Sequence, residues 1–460
     1  MTGVQVLIEV TAERENSLEM FGAATSSSAE AERQASDFLS DVGGSGIEFE
    51  EGFAPVPMYE PEDGSAELQT FSEAFSPSLG VSPPRSNSFV LPAEVTRSRL
   101  DELYETDGVT VWPNSQITLF GSGRQAISDA SSKGGVDCRP FRSAVDLDVL
   151  RDLLGVDTLW DRGYRGQNII VGILDEGVDG SVYPVVGGFA RPNAALQPGA
   201  AAISSHGSMC AADVMVAAPF ARLYDYPFLG IPRSGGALQM FQAVLNQRNI
   251  DGTPHLTNNS YGFVGVPDQA SFPNHEVHNL NHPVHRKVRE VVAAGVPCFF
   301  AAGNCGQNCP SGACHPSGIG PGQSIHGSNS LEEVITVAAV NARHERIGYS
   351  SQGPGMFEAQ KPDIASYSHF YGNSGPGRPA GGTADSFDNG TSAATPVAAG
   401  VAAALMSADP SLTPQRLKEL MVASAADVGP IVGWDRDHGH GIVNAAAAYM
   451  AMQATAPLIS

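Results

Sequence analysis

Beyond residue 142 the chain alternates short apolar runs with amphipathic ones. "NIIVGILDEG", "ARLYDYPFL", "HLTNNSYG", "VPCFFAAGN" and "EEVITVAAV" carry compact apolar segments that end in polar residues or glycine, and they read as buried strands. "LDVLRDLLGVDTLWDRGY", "SMCAADVMVAAP", "ALQMFQAVLNQRN" and "HRKVREVVAAG" place apolar residues at helical spacing. This alternation predicts a doubly wound α/β fold, a mostly parallel sheet with helices on both faces. Near the C-terminal end, "DNGTSAATPVAAGVAAALM" (388–406) predicts a central buried helix made of small residues. Pro396 is expected in its first turn, where its missing N–H costs nothing.

Residues 1–120 follow a different pattern. "VQVLIEV" reads as a strand and "AEAERQASDFLSD" as a helix, with Ala31, Ala35, Phe38 and Leu39 on one face. "IEFEEGFAPVPM" alternates like one strand, and a loop rich in Pro, Ser, Glu and Asp spans 59–85. "SFVLPAEV", "TRSRLDELYET" and "VTVWPNSQITLF" add a strand, a helix capped by Thr96, and a closing strand. The β-α-β-β-α-β order predicts a small ferredoxin-like α+β domain, with an unrelated α+β module as the alternative. The Gly/Ser-rich stretch 121–142 reads as a linker to a domain spanning 143–460.

Composition narrows the partners. The net charge of −23 makes nucleic acid and anionic membrane poor partners. The acid excess is concentrated at the start, where residues 1–80 hold roughly 16 acidic against 2 basic residues, as a separate module would. "MTGVQVLIEVTAERE" shows no basic leader, long apolar stretch or small-residue cleavage site. No apolar run spans a bilayer without a Gly or Pro interruption. Cytoplasmic residence, or export by an unconventional route, is the expectation. Six cysteines in 460 residues are too sparse for a disulfide scaffold.

In open α/β sheets, sites gather beyond the carboxyl ends of strands. Asp175 ends "IIVGILD", His206 opens a helix, Asn304 follows "CFFAAG", and Ser392 lies at the mouth of the alanine-rich helix. A serine there meets free backbone N–H groups and the positive end of the helix dipole. Its simpler reading is a helix cap. An acid, an imidazole, an amide donor and a hydroxyl are together the set that nucleophilic acyl transfer needs.

From about Leu147 to Ala448 the sequence resembles the subtilisin-like serine proteases, the subtilases. "LDEG", "HGSMCAAD", "NNSYG", "AAGNCG" and "NGTSAATP" resemble that family's blocks, and "YSSQGP", "KPDIAS" and "GHGIVNAAAA" resemble its structural segments. The resemblance implies a serine endopeptidase acting on peptides or proteins through an acyl-serine intermediate, with no cofactor. It makes Asp175, His206 and Ser392 the triad. Asn304 and the Ser392 N–H become the oxyanion donors, with Thr391 in support. Ser260, Tyr261, Gly262, Ala301, Ala302 and Gly303 would pair with the substrate backbone as an added β-strand. It also makes residues 1–120 an N-terminal propeptide that acts as intramolecular inhibitor, cut between about Phe120 and Phe141. Two other readings remain open: a maturation protease dedicated to one co-produced peptide, and a catalytically silent binding module held closed by its N-terminal domain.

Several residues depart from the family pattern. Glu176 stands where a small hydroxyl residue is usual, and if close it raises the pKa of His206. Met209, Ala212, Ala393 and Ala394 alter the surroundings without removing a triad member. The calcium loop of many secreted subtilases is missing after "AADVMVAAP", so that metal site is not expected. Cys210, one turn after His206, is similar to the thiol of a mercurial-sensitive subgroup, or else an ordinary buried cysteine. For Cys305, Cys309, Cys314 and His315, free thiols are the leading reading, with a local disulfide or a Cys3His zinc site as alternatives. His275, His278, His282 and His285 read as loop or surface histidines rather than a metal site, because Pro283 interrupts any helix through them.

Overall fold

A computed structural model describes residues 3–11, 46–58, 88–120, 136–139, 143–191, 194–228, 232–372, 387–429 and 431–455. The expected helix at 29–41, the acidic loop 59–85 and most of the linker 121–142 lie outside them. The N-terminal part forms an antiparallel sheet from β1 (Val4–Thr11), β2 (Ile47–Phe49), β3 (Val56–Met58), β4 (Ser88–Val95) and β5 (Val109–Pro113). Its order is β2-β4-β1-β5, with β3 also on β4. The segment expected as one strand, "IEFEEGFAPVPM", is two, because Gly52 turns the chain at φ +78°. Likewise "VTVWPNSQITLF" does not close the sheet as a unit. β5 ends at Pro113, and β6 (Thr118–Leu119) leaves for the larger part of the molecule.

That larger part holds β7 (Ile170–Asp175), β8 (Val185–Gly188), β9 (Arg222–Pro227), β10 (Leu256–Asn259), β11 (Tyr261–Gly262), β12 (Cys298–Ala301), β13 (Ile335–Val340) and β14 (Ile364–Tyr367). Seven of these make one parallel sheet in the order β14-β13-β12-β10-β7-β9-β8. β11 stands apart and pairs antiparallel with β6. The inner strands β7, β12 and β13 are fully buried, as expected for a sheet covered on both faces, whereas the edge strand β8 is partly exposed.

The helix Thr391–Ala408 is buried from Thr391 to Met406. It is long and apolar enough to cross a membrane by length and composition, and here it fills the protein core instead. Small residues let it approach the helix His206–Ala217 closely. A Cβ added at Gly400 would lie 2.4 Å from the Val214 carbonyl oxygen, so only glycine fits that crossing. Gly390 caps the helix. Pro396 is therefore in the second turn, not the first. Its missing N–H leaves the Ser392 carbonyl without the usual i+4 donor. Ser260 Oγ fills that role at 3.2 Å.

The N-terminal sheet packs on two helices of the larger part, Ser234–Asp251 and Pro283–Ala293. Leu238 joins Leu7, Val56, Met58, Val90 and Trp112 in a shared apolar cluster. Arg286 pairs with Glu9 at 2.8 Å, and Trp112 Nε1 donates to the same carboxylate at 2.8 Å. Here two of the four dense histidines differ from expectation, while His275 and His278 lie partly exposed in a loop. His282 and His285 are fully buried, and Pro283 begins a helix that His282 caps. His282 Nε2 bonds the Pro113 carbonyl at 3.0 Å, and His285 Nε2 bonds the Glu276 carbonyl at 2.6 Å. Burial pulls His285 down to about 3, so it stays neutral. Glu276, itself buried, accepts from the backbone and hydroxyl of Ser115 at 3.0 and 2.7 Å.

The cysteines are a second correction. Cys305 is bonded to Cys314, and Cys138 to Cys309. Neither three free thiols nor a zinc set describes them. Spacing could not show this, because Cys138 is brought to Cys309 across 171 residues.

Candidate active site

Strand ends and helix starts converge at one point. Asp175 closes β7 with no solvent exposure, and its Oδ1 lies 2.7 Å from His206 Nδ1. His206 opens its helix because Ser205 caps it, Ser205 Oγ accepting from Ser208 N at 3.1 Å. Glu176 does reach the site. Its carboxylate accepts from the His206 backbone N–H at 3.1 Å, at the positive end of the helix. Burial lowers the imidazole pKa, but the charge and hydrogen bond of Asp175, then Glu176, then the Phe120 carbonyl outweigh it, and the net shift is upward. His206 Nε2 has no hydrogen-bond partner of ordinary geometry among the described residues. The Phe120 carbonyl therefore acts on the ring as a nearby dipole.

Cys210 packs beneath the pair, its Sγ 3.7 Å from Asp175 Oδ2 and 4.0 Å from His206 Nδ1. Burial and the Asp175 charge push its thiol well up, so it is a protonated filler rather than a nucleophile.

Ser392 is the second residue of its helix, one past the first free N–H groups. Its Oγ lies 3.4 Å from the Ser260 carbonyl oxygen. Asn304 follows β12, and its Oδ1 accepts from Thr391 N at 2.9 Å and Thr391 Oγ1 at 3.0 Å. Thr391 Oγ1 in turn accepts from Gly303 N at 3.1 Å. Both lone pairs of the Asn304 oxygen are thus used, and the amide NH2 is turned the other way. A Cβ built on Gly390 would sit 3.0 Å from Asn304 Nδ2 and 3.0 Å from the Phe120 carbonyl oxygen. Donor and carbonyl gather over the same glycine.

The chain's own residues 116–120 lie in the cleft. Phe120 N donates to the Ser260 carbonyl at 3.0 Å, and β6 pairs with Tyr261 and Gly262. On the other side Ile117 N donates to the Pro232 carbonyl at 2.7 Å, and Gln116 bridges to Arg233. The segment is thus held on both sides, by β11 on one and by the isolated bridge to Arg233 on the other. The Phe120 ring lies over two glycines. A Cβ added at Gly262 would come within 2.6 Å of its Cζ, and one at Gly303 within 3.5 Å.

Of the expected backbone-binding residues, Ser260, Tyr261 and Gly262 meet the segment. The Tyr261 ring turns inward, edge-on to Phe228 and Phe300. Gly303 contributes its bare Cα. Ala301 and Ala302 make no hydrogen bond to residues 116–120 among the described residues. Ala301 is interior to the sheet beside Val337, and its carbonyl is taken by Asn329 Nδ2 at 2.8 Å. Pro232, Arg233 and Asn329 were not legible in advance. Asn329 also binds the Tyr261 carbonyl at 2.7 Å and so ties the floor of the cleft to the sheet.

A carboxylate, an imidazole, a hydroxyl at a helix start and a turned-out amide, closed by a strand-edge groove, form a device for nucleophilic attack on a peptide carbonyl. Comparison with known proteins agrees with this chemistry. The model of the subtilase family matches residues 166–441. Subtilisin DY of Bacillus licheniformis is 26% identical over 314 residues, covering 64% of this chain and 96% of the relative. Serine protease AprX of Bacillus subtilis is 27% identical over 304 residues, covering 56% of this chain and 61% of the relative. Among solved structures, fervidolysin from Fervidobacterium pennivorans, a keratinolytic enzyme related to subtilisin, superposes with a TM-score of 0.56 at 16% identity, over 98% of this chain and 61% of the other. That last likeness speaks to the fold alone. With the family matched over more than half its length, the chain belongs to the subtilases and is a serine endopeptidase.

Proposed function

We propose that the protein is made as a zymogen whose residues 1–120 inhibit the domain 143–460 and are removed by cleavage of the Phe120–Gly121 bond. One observation carries this reading. The Phe120 backbone is paired as a substrate strand, its carbonyl faces His206 and Asn304, and its ring covers Gly262 and Gly303. Mechanistically, His206 takes the Ser392 proton as Oγ attacks the carbonyl carbon. Asp175 holds the ring tautomer and stabilises the cation. Asn304 Nδ2 and the Ser392 N–H receive the oxyanion, and His206 returns the proton to the leaving amine. Substrates are peptides with a large apolar residue before the cut bond. The two disulfides support maturation in an oxidising compartment rather than the cytoplasm.

N-terminal sequencing of the purified, self-processed protein is the test. Gly121 is expected as the new terminus. A chain that stays whole, or one cut first at another bond, overturns the proposal.

The pH dependence follows from the same geometry. His206 must be neutral to act as base, and its pKa is raised above 6.5 by Asp175 and Glu176. The kcat/KM of the processed enzyme should therefore rise with pH through a midpoint above 6.5. Glu176→Gln keeps an acceptor for the His206 N–H but removes a negative charge, so imidazolium is less favoured and the midpoint moves toward acid. A pH–rate profile of both proteins checks the sign.

A further inference from the structure

The turn that presents Ser392 is held from behind. Gly390, at φ +84°, begins that turn, and both its polar backbone groups are bound by side chains. Its N–H donates to Tyr349 Oη at 2.8 Å, and its carbonyl accepts from Ser368 Oγ at 3.0 Å. Tyr349 Oη lies 3.0 Å from His369 Nε2. His369 Nδ1 lies 3.0 Å from Ser143 Oγ, which donates a short hydrogen bond to Asp137 Oδ2. Asp137 also accepts from Asn341 Nδ2 at 3.0 Å.

The directions follow from the chemistry of each group. Asp137 only accepts, so Ser143 spends its proton there and accepts from His369 Nδ1–H. His369 Nε2 is then an acceptor, Tyr349 donates to it, and the phenol oxygen is left to accept the Gly390 N–H. Every link is buried, with Asp137 at 4%, Ser143 at 7%, His369 at 0% and Tyr349 at 1% exposure. Burial lowers His369 more than Asp137 raises it, which agrees with a neutral ring. Burial raises the Asp137 carboxyl, but the nearby His369 ring, Ser143 and Asn341 outweigh it, and the net shift is downward. His369 is held at φ +65°, a left-handed conformation uncommon for a residue with a β-carbon. A one-way chain ending on an anion polarises each bond in turn.

We infer that Asp137, Ser143, His369 and Tyr349 form a relay that positions the Ser392 turn, with Tyr349 and His369 as positioning residues for catalysis. The inference rests on the reading of Ser392 as nucleophile. Asp137 lies 17 residues beyond the proposed cut, and the Cys138–Cys309 disulfide fixes it in place. The first described segment of the mature enzyme is thereby part of its active-site scaffold.

Tyr349→Phe tests this in the full, self-processing chain. It keeps the ring and removes the oxygen, leaving a buried N–H unpaired. Turnover of a peptide anilide ending in Phe and the rate of Ser392 labelling by a fluorophosphonate should both fall about tenfold, with KM within about twofold. Ser143→Ala breaks the relay one link further back, and should also lower kcat. In the double variant the two losses should not multiply, because they interrupt one chain. If Tyr349→Phe fails to fold, Ser143→Ala alone decides, through its kcat-against-KM split. Unchanged kcat and labelling, a loss confined to KM, or losses that multiply would overturn the relay. A wild-type protein that does not label would instead overturn the assignment of Ser392.

Discussion

Replacing Ser392 by alanine should lower peptide hydrolysis by about 10⁶-fold and leave the chain at full length. The size follows from what is lost. Without Oγ no acyl-enzyme forms, and what survives is water attack assisted by the oxyanion donors and by binding. The simpler reading of Ser392 as a helix cap predicts something else: a stability loss of about 1 kcal/mol with hydrolysis intact. The cap is Gly390, and Ser392 Oγ makes a long contact of 3.4 Å to the Ser260 carbonyl. Little stability hangs on it, and the melting temperature should stay near wild type. His206→Ala should cost a similar factor, and the pair together no more than either alone, since they perform one proton transfer. The measurement is a peptide anilide assay with intact mass on the same samples. Full activity with normal mass loss in Ser392→Ala would remove it from the mechanism.

The sequence made much of this site legible because its chemistry is local. Asp175, His206, Asn304 and Ser392 each follow a strand or start a helix that apolar spacing reveals, and each chain segment carries its own residue. What stayed hidden depends on segments meeting from afar. Cys309 reads as a loop thiol until Cys138 arrives from 171 residues away. His282 and His285 read as loop or surface residues because their cover comes partly from Pro113 and the N-terminal sheet, which no pattern near 280 can show. The Tyr349–His369–Asp137 relay joins three segments that lie far apart in the chain, and "YSSQGP", which opens with Tyr349, does not show what that tyrosine meets. Ala301 and Ala302 make no hydrogen bond to the cleft segment among the described residues, because β12 has neighbours on both sides. Pro396 shows a boundary error of one turn, and the error was informative. The proline frees the Ser392 carbonyl for Ser260, so the helix start is tied to the substrate strand.

Asn304→Ala should lower kcat by about 10²–10³-fold while KM changes little, because in the proposed mechanism Asn304 Nδ2 serves charge that develops only in the transition state. Alanine removes two things at once, the Nδ2 donor and the Oδ1 that holds Thr391 N and Oγ1. Asn304→Asp separates them. Its carboxylate keeps both contacts to Thr391 and so keeps the turn in place, but it has no N–H to offer and adds negative charge beside the oxyanion. If donation is the role, Asp should be at least as slow as Ala. If the role is only to hold Thr391, Asp should recover most of the lost rate. The loop behind Asn304 is fixed in either variant. The Cys305–Cys314 disulfide closes it, and Ser311 N donates to the Asn304 carbonyl at 2.8 Å. Steady-state kinetics on one peptide anilide decides between donor and prop, with the expected order wild type far above Ala, and Ala equal to or above Asp.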